Sequence, residues 1–261
     1  MARLPTLFIS HGSPMLAIQS SPANHFLRDV GKTFPRPSAI LVISAHWESN
    51  GELAVSVVNN PSTIHDFGGF PRELFEIQYP ASGATEVGSQ AADLLKQAGF
   101  EIRTSSTRGL DHGAWVPLCL MYPEADIPVT QVSVRRDASM MEHLRIGRAL
   151  STLRDQDVLV IGSGSLTHNL YEYRGQEIDA SVPGWVNEFD VWMKEHLEEQ
   201  DLEALLSYRD KAPHAVRNHP TEEHLSPLFV ALGAAGEVGA VTRLHTSYEY
   251  GVLAMDVYAF D

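Results

Sequence analysis

The chain has 261 residues, of which 44% are hydrophobic and 20% are charged, and its formal net charge is −14. This is an ordinary globular composition, and we predict one domain over residues 1–261. The acidic balance argues against nucleic acid as a partner, because nucleic-acid-binding proteins normally present a basic face.

A single cysteine, Cys119, excludes an intramolecular disulfide framework and a thiolate metal cluster. It lies within an apolar run, which favours a buried small hydrophobic residue over a nucleophile. No apolar run approaches the roughly 20 residues of a membrane span, and the first residues show no signal-peptide pattern. We therefore expect no membrane association and a cytoplasmic location.

Apolar runs and breaker residues predict strands and helices that alternate along the chain. The predicted strands are residues 4–10, 39–44, 53–58, 101–104, 129–134, 157–162, 240–246 and 252–258. The predicted helices are residues 23–33, 85–98, 139–153, 183–200 and 220–235. This alternation predicts an α/β fold with a central parallel or mixed sheet flanked by helices.

Residues 59–80 form an aromatic segment punctuated by Gly and Pro that is too long for a plain connection. Loops of this length are usually functional lids or binding loops. An irregular hydrophobic flap over the core is an equally good interpretation of the same residues.

Histidines follow three of the predicted strands. His11 follows the first strand, His46 follows the strand at 39–44, and His168 follows the strand at 157–162. Because ligands bind beyond the carboxyl ends of strands in open α/β sheets, we expect these side chains at one edge of the sheet. Converging imidazoles suit a borderline divalent metal such as Fe(II), Zn or Mn. The chain has no H-E-x-x-H motif and no zinc-finger spacing, so distant segments would have to supply the ligands.

The remaining histidines sort by their neighbours. We predict that His25, His143 and His196 lie on solvated helix faces, and that His112 lies in a Gly-flanked turn. His224 lies at the start of the helix predicted for residues 220–235, beside two glutamates. Residues 162–165, G-S-G-S, lack the lysine and the complete glycine pattern of a phosphate-binding loop. We interpret the glycines as positions without a Cβ atom that let His168 approach a ligand closely.

Several motifs together resemble the class III extradiol ring-cleavage dioxygenases, in particular the DOPA 4,5-dioxygenase-like subgroup. They are I-S-H-G-S-P at 9–14, S-A-H-W-E at 44–48, H-D-F-G-G-F-P at 65–71, L-D-H-G-A-W-V-P-L at 110–118, G-S-G-S-L-T-H-N at 162–169, H-P-T-E-E-H-L-S-P-L at 219–228 and Y-E-Y-G-V-L-A-M at 248–255. Their order and their spread over nearly the whole chain make the resemblance specific.

The resemblance implies a non-haem metal held by His11 and His46, with the third ligand on the helix after Thr221. Ring-cleaving relatives use a glutamate there, whereas the matching position in this chain is His224. Its neighbour Glu223 is expected to point about 100° away on a helix. One divalent metal is implied, with Fe(II) expected for turnover and Zn(II) as a plausible bound form.

The resemblance further implies that His168 is an acid/base group, or a fourth ligand in a zinc-loaded form, and that His112 lies near the oxygen pocket. The implied reaction is extradiol cleavage of a catechol by O2, with His65 and Tyr79 as candidate substrate contacts. Two alternatives remain open. One is a zinc hydrolase in which Glu48 or His168 is the base, and the other is an inactive relative that binds a metal or small molecule. No pattern indicates an oligomeric state.

Overall fold

An eight-stranded mixed sheet forms the centre of the computed structural model, which describes residues 3–237 and 239–261. Its strands are β1 (Thr6–Ser10), β2 (Ala39–Ser49), β3 (Leu53–Ser56), β4 (Ile102–Ser105), β5 (Val129–Arg135), β6 (Val158–Gly164), β7 (Val241–His245) and β10 (Val257–Phe260). A separate two-stranded hairpin consists of β8 (Tyr248–Glu249) and β9 (Leu253–Ala254).

The strand order is β4-β3-β5-β2-β6-β1-β10-β7. At its centre, β2, β6 and β1 run parallel, and β5 runs parallel to β2. Antiparallel pairs occur towards the edges, where β3 pairs with β5, and β10 pairs with both β1 and β7. The carboxyl ends of β1, β2 and β6 therefore meet at one edge, as the sequence predicts.

Helices cover both faces of the sheet. They are α1 (Pro22–Val30), α2 (Arg72–Glu76), α3 (Thr85–Gln97), α4 (His112–Met121), α5 (Met140–Leu150), α6 (Gly184–Glu198), α7 (Leu202–Leu206), α8 (Tyr208–Lys211), α9 (Ala215–Asn218) and α10 (Ser226–Ala234). Helices α1 and α4 pack with one face of β2, including Ile40 and Val42. Helices α3, α5 and α10 pack with the other face, including Leu41 and Ile43. Strands buried on both faces explain the continuous apolar runs in the sequence.

The structure corrects two predicted boundaries. The helix predicted for residues 220–235 begins only at Ser226, and residues 221–225 form turns. The strand predicted for residues 252–258 is two short strands, β9 and β10, in different sheets. Residues 59–80 are mostly irregular, as expected, and contain only the short helix α2. Across the described residues, no helix is both long and apolar enough to cross a membrane.

One of the histidines predicted to lie on a solvated face is buried. His143 on α5 is 1% exposed, and its Nδ1 lies 3.0 Å from the carbonyl oxygen of Ser139. His25 is exposed and His196 is partly exposed, in agreement with the prediction. The error at His143 arises because polar residues flank it in the chain, while its own position on the helix faces the core.

A buried ionic cluster joins β7 to α6 and β10. Arg243 donates two hydrogen bonds to Asp190, at 2.6 and 2.8 Å, and a third to Asp256. Both carboxylates are nearly inaccessible to solvent. Tyr248 also donates its hydroxyl proton to Asp190. Two buried carboxylates thus depend on a single guanidinium.

We predict that Arg243→Met destabilises the protein by about 3–5 kcal/mol, because it leaves two buried carboxylates without a cation. Urea unfolding measures the loss. Arg72→Met is the matched control, because its ion pair with Glu76 is exposed and such pairs contribute less than about 1 kcal/mol. Similar losses in the two variants would contradict the prediction.

His143 gives a prediction for the pH dependence of stability. Burial lowers its pKa to about 4, whereas an unfolded histidine titrates near 6.5. Between these values only the unfolded chain binds the proton, so stability decreases as the pH falls. We expect His143→Gln to make this decrease shallower, by up to about 1.4 kcal/mol per pH unit. Urea unfolding between about pH 7 and pH 5 tests this, and the exposed His25→Gln should leave the slope unchanged.

Candidate metal centre and active site

Three imidazoles from distant segments meet beyond the carboxyl edge of the sheet. The Nε2 atoms of His11 and His46 lie 2.9 Å apart. Ligand atoms of His11, His46 and His224 all lie within 4.8 Å of one another. The Nε2 atom of His224 is buried and has no hydrogen-bond partner. Because a buried polar atom is costly without a partner, a shared cation fits this arrangement.

The tautomer of His11 is fixed by a chain of contacts that begins at a proline. Pro117 has no N–H, so the carbonyl of Gly113, four residues earlier in α4, lacks its helical partner. Ser163 on β6 donates its hydroxyl proton to that carbonyl. The Ser163 oxygen, 2.9 Å from His11 Nδ1, therefore accepts the imidazole proton. The Nε2 atom of His11 keeps its lone pair and can bind a metal.

His46 lies in an irregularity of β2. Ser44 is paired with Ser133 on β5, but the next paired residue is Glu48, so residues 45–47 leave the ladder with β5. Such bulges re-aim side chains at the ends of strands. An Oδ2 atom of Asp66 lies 3.7 Å from His46 Nδ1, which directs Nε2 towards the other two imidazoles.

A buried carboxylate supports this end of β2. Asp111, which is inaccessible to solvent, accepts hydrogen bonds from the Ser44 hydroxyl, the Arg108 guanidinium and the Gln131 amide. It also caps α4 by accepting from the backbone N–H of Ala114. The same guanidinium donates to the carbonyl of His46. Asp111 thereby ties the start of α4 to the bulge that carries a candidate ligand.

His224 lies in a turn, which corrects the predicted position of its neighbour. Glu223 was expected to point away on a helix, but its Oε1 lies 2.9 Å from His224 Nδ1. The carboxylate accepts the Nδ1 proton and leaves Nε2 free as a ligand. Thr221 donates its hydroxyl proton to the same oxygen, at 3.1 Å.

Gly164 makes room for the segment that carries His224. A Cβ atom at Gly164 would collide with the carbonyl oxygen of His224. The glycines of residues 162–165 were interpreted as making room for His168. The structure shows instead that Gly164 makes room for the backbone of His224. This allows the chain around His224 to pack directly against β6.

His112 occupies the first turn of α4 and contacts His46 ring to ring, with centroids 3.8 Å apart. Its backbone N–H and its Nδ1 both lie 3.0 Å from Asp66 Oδ1. Partial burial alone would raise the pKa of Asp66, but the hydrogen bonds from His112 lower it to about 2. An ionised Asp66 thus orients both His46 and His112.

His168 stacks on His224 with ring centroids 3.5 Å apart and an interplanar angle of 8°. The lone pairs of an imidazole lie in the plane of its ring. Because the rings of His168 and His224 are nearly parallel, their lone pairs lie in two parallel planes and do not point at one shared metal position. To become a fourth ligand, His168 would have to leave this stack. Burial lowers its pKa to about 4, so the ring is neutral near pH 7.

The three candidate ligands are also neutral near pH 7. Burial, followed by repulsion from the other histidines, lowers the pKa of both His11 and His224 well below the usual value. Burial and His112 lower the pKa of His46 to about 4. Neutral imidazole is the form of histidine that binds metals.

The imidazoles form one end of a cavity of about 470 Å³. Its walls are largely apolar and aromatic, which is usual for a small-molecule site. The lining residues are His11, Gly12, Ser13, Pro14, Met15, His46, Asp66, Phe67, Phe70, His112, His168, Leu170, Tyr173, His224, Tyr250, Val252 and Leu253.

The two residues expected to contact substrate do not line this cavity. Tyr79 is 1% exposed and donates its hydroxyl proton to the carbonyl of Tyr122. His65 has its Nε2 3.0 Å from the carbonyl of Ile77 and packs against Phe67. Phe67 and Phe70 of the same loop line the cavity instead. Aromatic character pointed to a loop that lines the cavity, but it did not show which of its rings face inwards.

Glu48, the base in the hydrolase alternative, also lies elsewhere. It forms two hydrogen bonds of 2.7 Å with Arg136 and lines a separate cavity of about 490 Å³ that includes none of the histidines. Cys119 is partly buried, and burial raises the pKa of its thiol to about 12. It therefore does not behave as a nucleophile.

A three-imidazole centre at the carboxyl edge of an α/β sheet, opening into an aromatic cavity, fits a metal-dependent enzyme that acts on a small molecule. Residues 5–258 match the family described as the catalytic LigB subunit of aromatic ring-opening dioxygenase. The chain belongs to this family and is an enzyme of the extradiol dioxygenase class. The resemblance found in the motifs is confirmed.

Proteins named 4,5-DOPA dioxygenase extradiol are similar over nearly their whole length. The one from Beta vulgaris is 44% identical, with 98% of this chain and 96% of that protein covered. The one from Escherichia coli K12 is 36% identical, with 97% and 93% covered. The crystal structure of an uncharacterized protein from Escherichia coli K12 superimposes with a TM-score of 0.84 at 30% identity, covering 99% of this chain and all of that one.

Four residues support the site in ways that the sequence did not predict: Asp66, Asp111, Ser163 and Glu223, the last of which was expected to point away. Each lies within a motif next to a histidine or one residue from it, except Ser163, which lies in the glycine-rich strand end. For the three carboxylates, the available signal was an acidic residue adjacent to a histidine within a motif. The contact itself depends on backbone conformation, which the pattern does not contain.

We predict that Glu223→Gln weakens zinc affinity by about 10- to 100-fold, the usual effect of losing a carboxylate that orients a ligating histidine. Glu222→Gln is the matched control, because Glu222 accepts from the Tyr208 hydroxyl rather than from a histidine. Chelator competition with purified apo-protein measures both affinities. Equal affinity in wild type and Glu223→Gln would show that the contact is dispensable.

Proposed function

We propose that this chain is a non-haem metal-dependent dioxygenase that cleaves a catechol beside its two hydroxyl groups, using O2. The observation that carries the proposal is the convergence of three neutral Nε2 atoms in the lining of an aromatic cavity. Two further imidazoles, His168 and His112, line the same end without being needed for that triad. A ligand triad with free acid/base groups beside it suits a chelating substrate and oxygen.

His11, His46 and His224 would hold the metal. A divalent metal bound there supplies the point at which a catechol is chelated and the path by which its electrons reach oxygen. The donor set fits Fe(II) for turnover and accepts Zn(II) as a bound form. Three imidazoles carry no charge, but Glu223 accepts a hydrogen bond from His224 Nδ1 at 2.9 Å and an Asp66 oxygen lies 3.7 Å from His46 Nδ1, so two carboxylates lie behind the ligands.

His168 and His112 would handle protons. His168 is neutral near pH 7 because burial lowers its pKa to about 4, so it can take a hydroxyl proton from the catechol and return it during ring opening. His112 donates Nδ1–H to Asp66, which leaves its Nε2 as a hydrogen-bond acceptor. Phe67 and Phe70 would enclose the ring and exclude water from the reacting groups.

We predict that His11→Ala and His46→Ala each abolish metal binding, since either change removes one of three ligands. Metal content after anaerobic Fe(II) reconstitution and dialysis measures this. Leu170→Ala is the control, because Leu170 lines the cavity without being one of the three candidate ligands. Wild-type metal content in both histidine variants would place the site elsewhere.

His168→Phe should retain Fe(II) but lose at least ~10²-fold in turnover, the usual scale of general acid–base catalysis. Oxygen uptake and absorbance of the ring-opened product report turnover, and metal analysis reports binding. If the variant loses its iron together with its activity, His168 is a ligand and the acid/base assignment is wrong. If Fe(II)-loaded wild type consumes no oxygen with any catechol, the proposed function fails.

A further inference from the structure

The cavity carries negative charge and no cationic side chain. Its seventeen lining residues, all in the described part of the chain, include one carboxylate, Asp66, and no lysine or arginine. Asp66 accepts hydrogen bonds from the backbone N–H and from Nδ1 of His112, both at 3.0 Å. A carboxylate on a substrate would thus find no guanidinium or ammonium group to pair with.

Four aromatic rings line the cavity beside the imidazoles. Tyr173 and Tyr250 meet edge to face with ring centroids 5.4 Å apart, and Phe67 and Phe70 meet in the same way at 5.4 Å. Ring faces are electron-rich, so they attract cations and apolar groups and disfavour anions. The Tyr250 hydroxyl donates its proton to Gln19 and does not offer it to a ligand.

The charge of the whole protein acts in the same direction. With a formal net charge of −14, the protein attracts cations and repels anions as they diffuse towards it, an effect that salt weakens. The lining of the cavity and the charge of the whole protein therefore both disfavour a substrate with an anionic substituent.

We propose that this cavity selects catechols whose side chain is uncharged or carries an ammonium group over catechols that carry a carboxylate without a compensating ammonium. The proposal rests on the function proposed above and adds the class of substrate. The two hydroxyl groups meet the imidazole end, and the substituent lies against Tyr173 and Tyr250.

The test compares three catechols that differ in charge: dopamine, 4-methylcatechol and 3,4-dihydroxyphenylacetate. Oxygen uptake by the Fe(II)-loaded protein gives kcat/KM for each. We expect dopamine to exceed 3,4-dihydroxyphenylacetate by at least about fivefold, the scale of one cation–π contact. We expect 4-methylcatechol to exceed it as well, because its methyl group packs against the rings without placing an unpaired carboxylate there. Calorimetry of the same compounds with the zinc-loaded protein should give the same order of affinity without turnover.

A charge-reversal variant tests whether the cavity is responsible. Leu170 lines the cavity and is 59% exposed, so Leu170→Arg can be accommodated and would place a cation at the wall. We expect it to raise kcat/KM for 3,4-dihydroxyphenylacetate relative to dopamine by at least about fivefold. Leu170→Gln controls for size. Tyr171→Arg controls for charge, because it adds the same charge at the adjacent residue, which is 79% exposed and does not line the cavity.

The outcomes separate this proposal from the function on which it rests. Absence of oxygen uptake with all three catechols would overturn the dioxygenase function and this proposal with it. Turnover of 3,4-dihydroxyphenylacetate equal to or faster than that of the other two would overturn the substrate class alone. An equal shift in Tyr171→Arg and Leu170→Arg would show that net charge, rather than the cavity, sets the preference, and would also overturn the proposal.

Discussion

Close backbone packing at two glycines is the constraint on which the histidine cluster depends. A Cβ atom at Gly113 would collide with the Ser44 hydroxyl and crowd both His46 and His11, and one at Gly164 would collide with the carbonyl of His224. Helix α4 and the turn before α10 can therefore approach the ends of β1, β2 and β6 directly. Larger residues would separate the segments that bring the three imidazoles within 4.8 Å of one another.

The contacts behind the imidazoles decide their chemistry. The Ser163 hydroxyl, Asp66 and Glu223 each face the Nδ1 atom of a different candidate ligand. These partners keep the Nε2 atoms unprotonated and directed at one point, where a cation can replace the lost hydration. Two of the three are carboxylates: Glu223 accepts a hydrogen bond from His224, and an Asp66 oxygen lies 3.7 Å from His46 Nδ1, so negative charge lies behind two of the imidazoles. This negative charge would offset part of the charge of a divalent cation held by three neutral imidazoles.

The loop at residues 59–80 proves to be both a flap and a wall. Trp115 donates its indole N–H to the carbonyl of Ile64, and Tyr79 is buried against Tyr122. These contacts fix the ends of the loop to the core. Between them, Asp66 holds two histidines while Phe67 and Phe70 enclose the cavity. The loop therefore couples the aromatic wall to the geometry of His46, and the two interpretations of this segment are not exclusive.

The sequence by itself determined the fold class, because the buried strands β1, β2 and β6 read as apolar runs that end in histidine-bearing motifs. It also predicted that His11 and His46 lie at one edge of the sheet, because the carboxyl ends of parallel strands meet there. It placed His143 on a solvated face because polar residues flank it in the chain. It placed Glu223 on a helix that begins three residues later, because helical periodicity does not report where a helix starts.

Only the tertiary structure decided which aromatic rings of residues 59–80 face the cavity and which acceptor each imidazole proton meets. Those outcomes depend on contacts between residues far apart in the chain, such as Ser163 with Gly113 and Asp66 with His112. A local pattern contains the residue types for these contacts but not the distances between them.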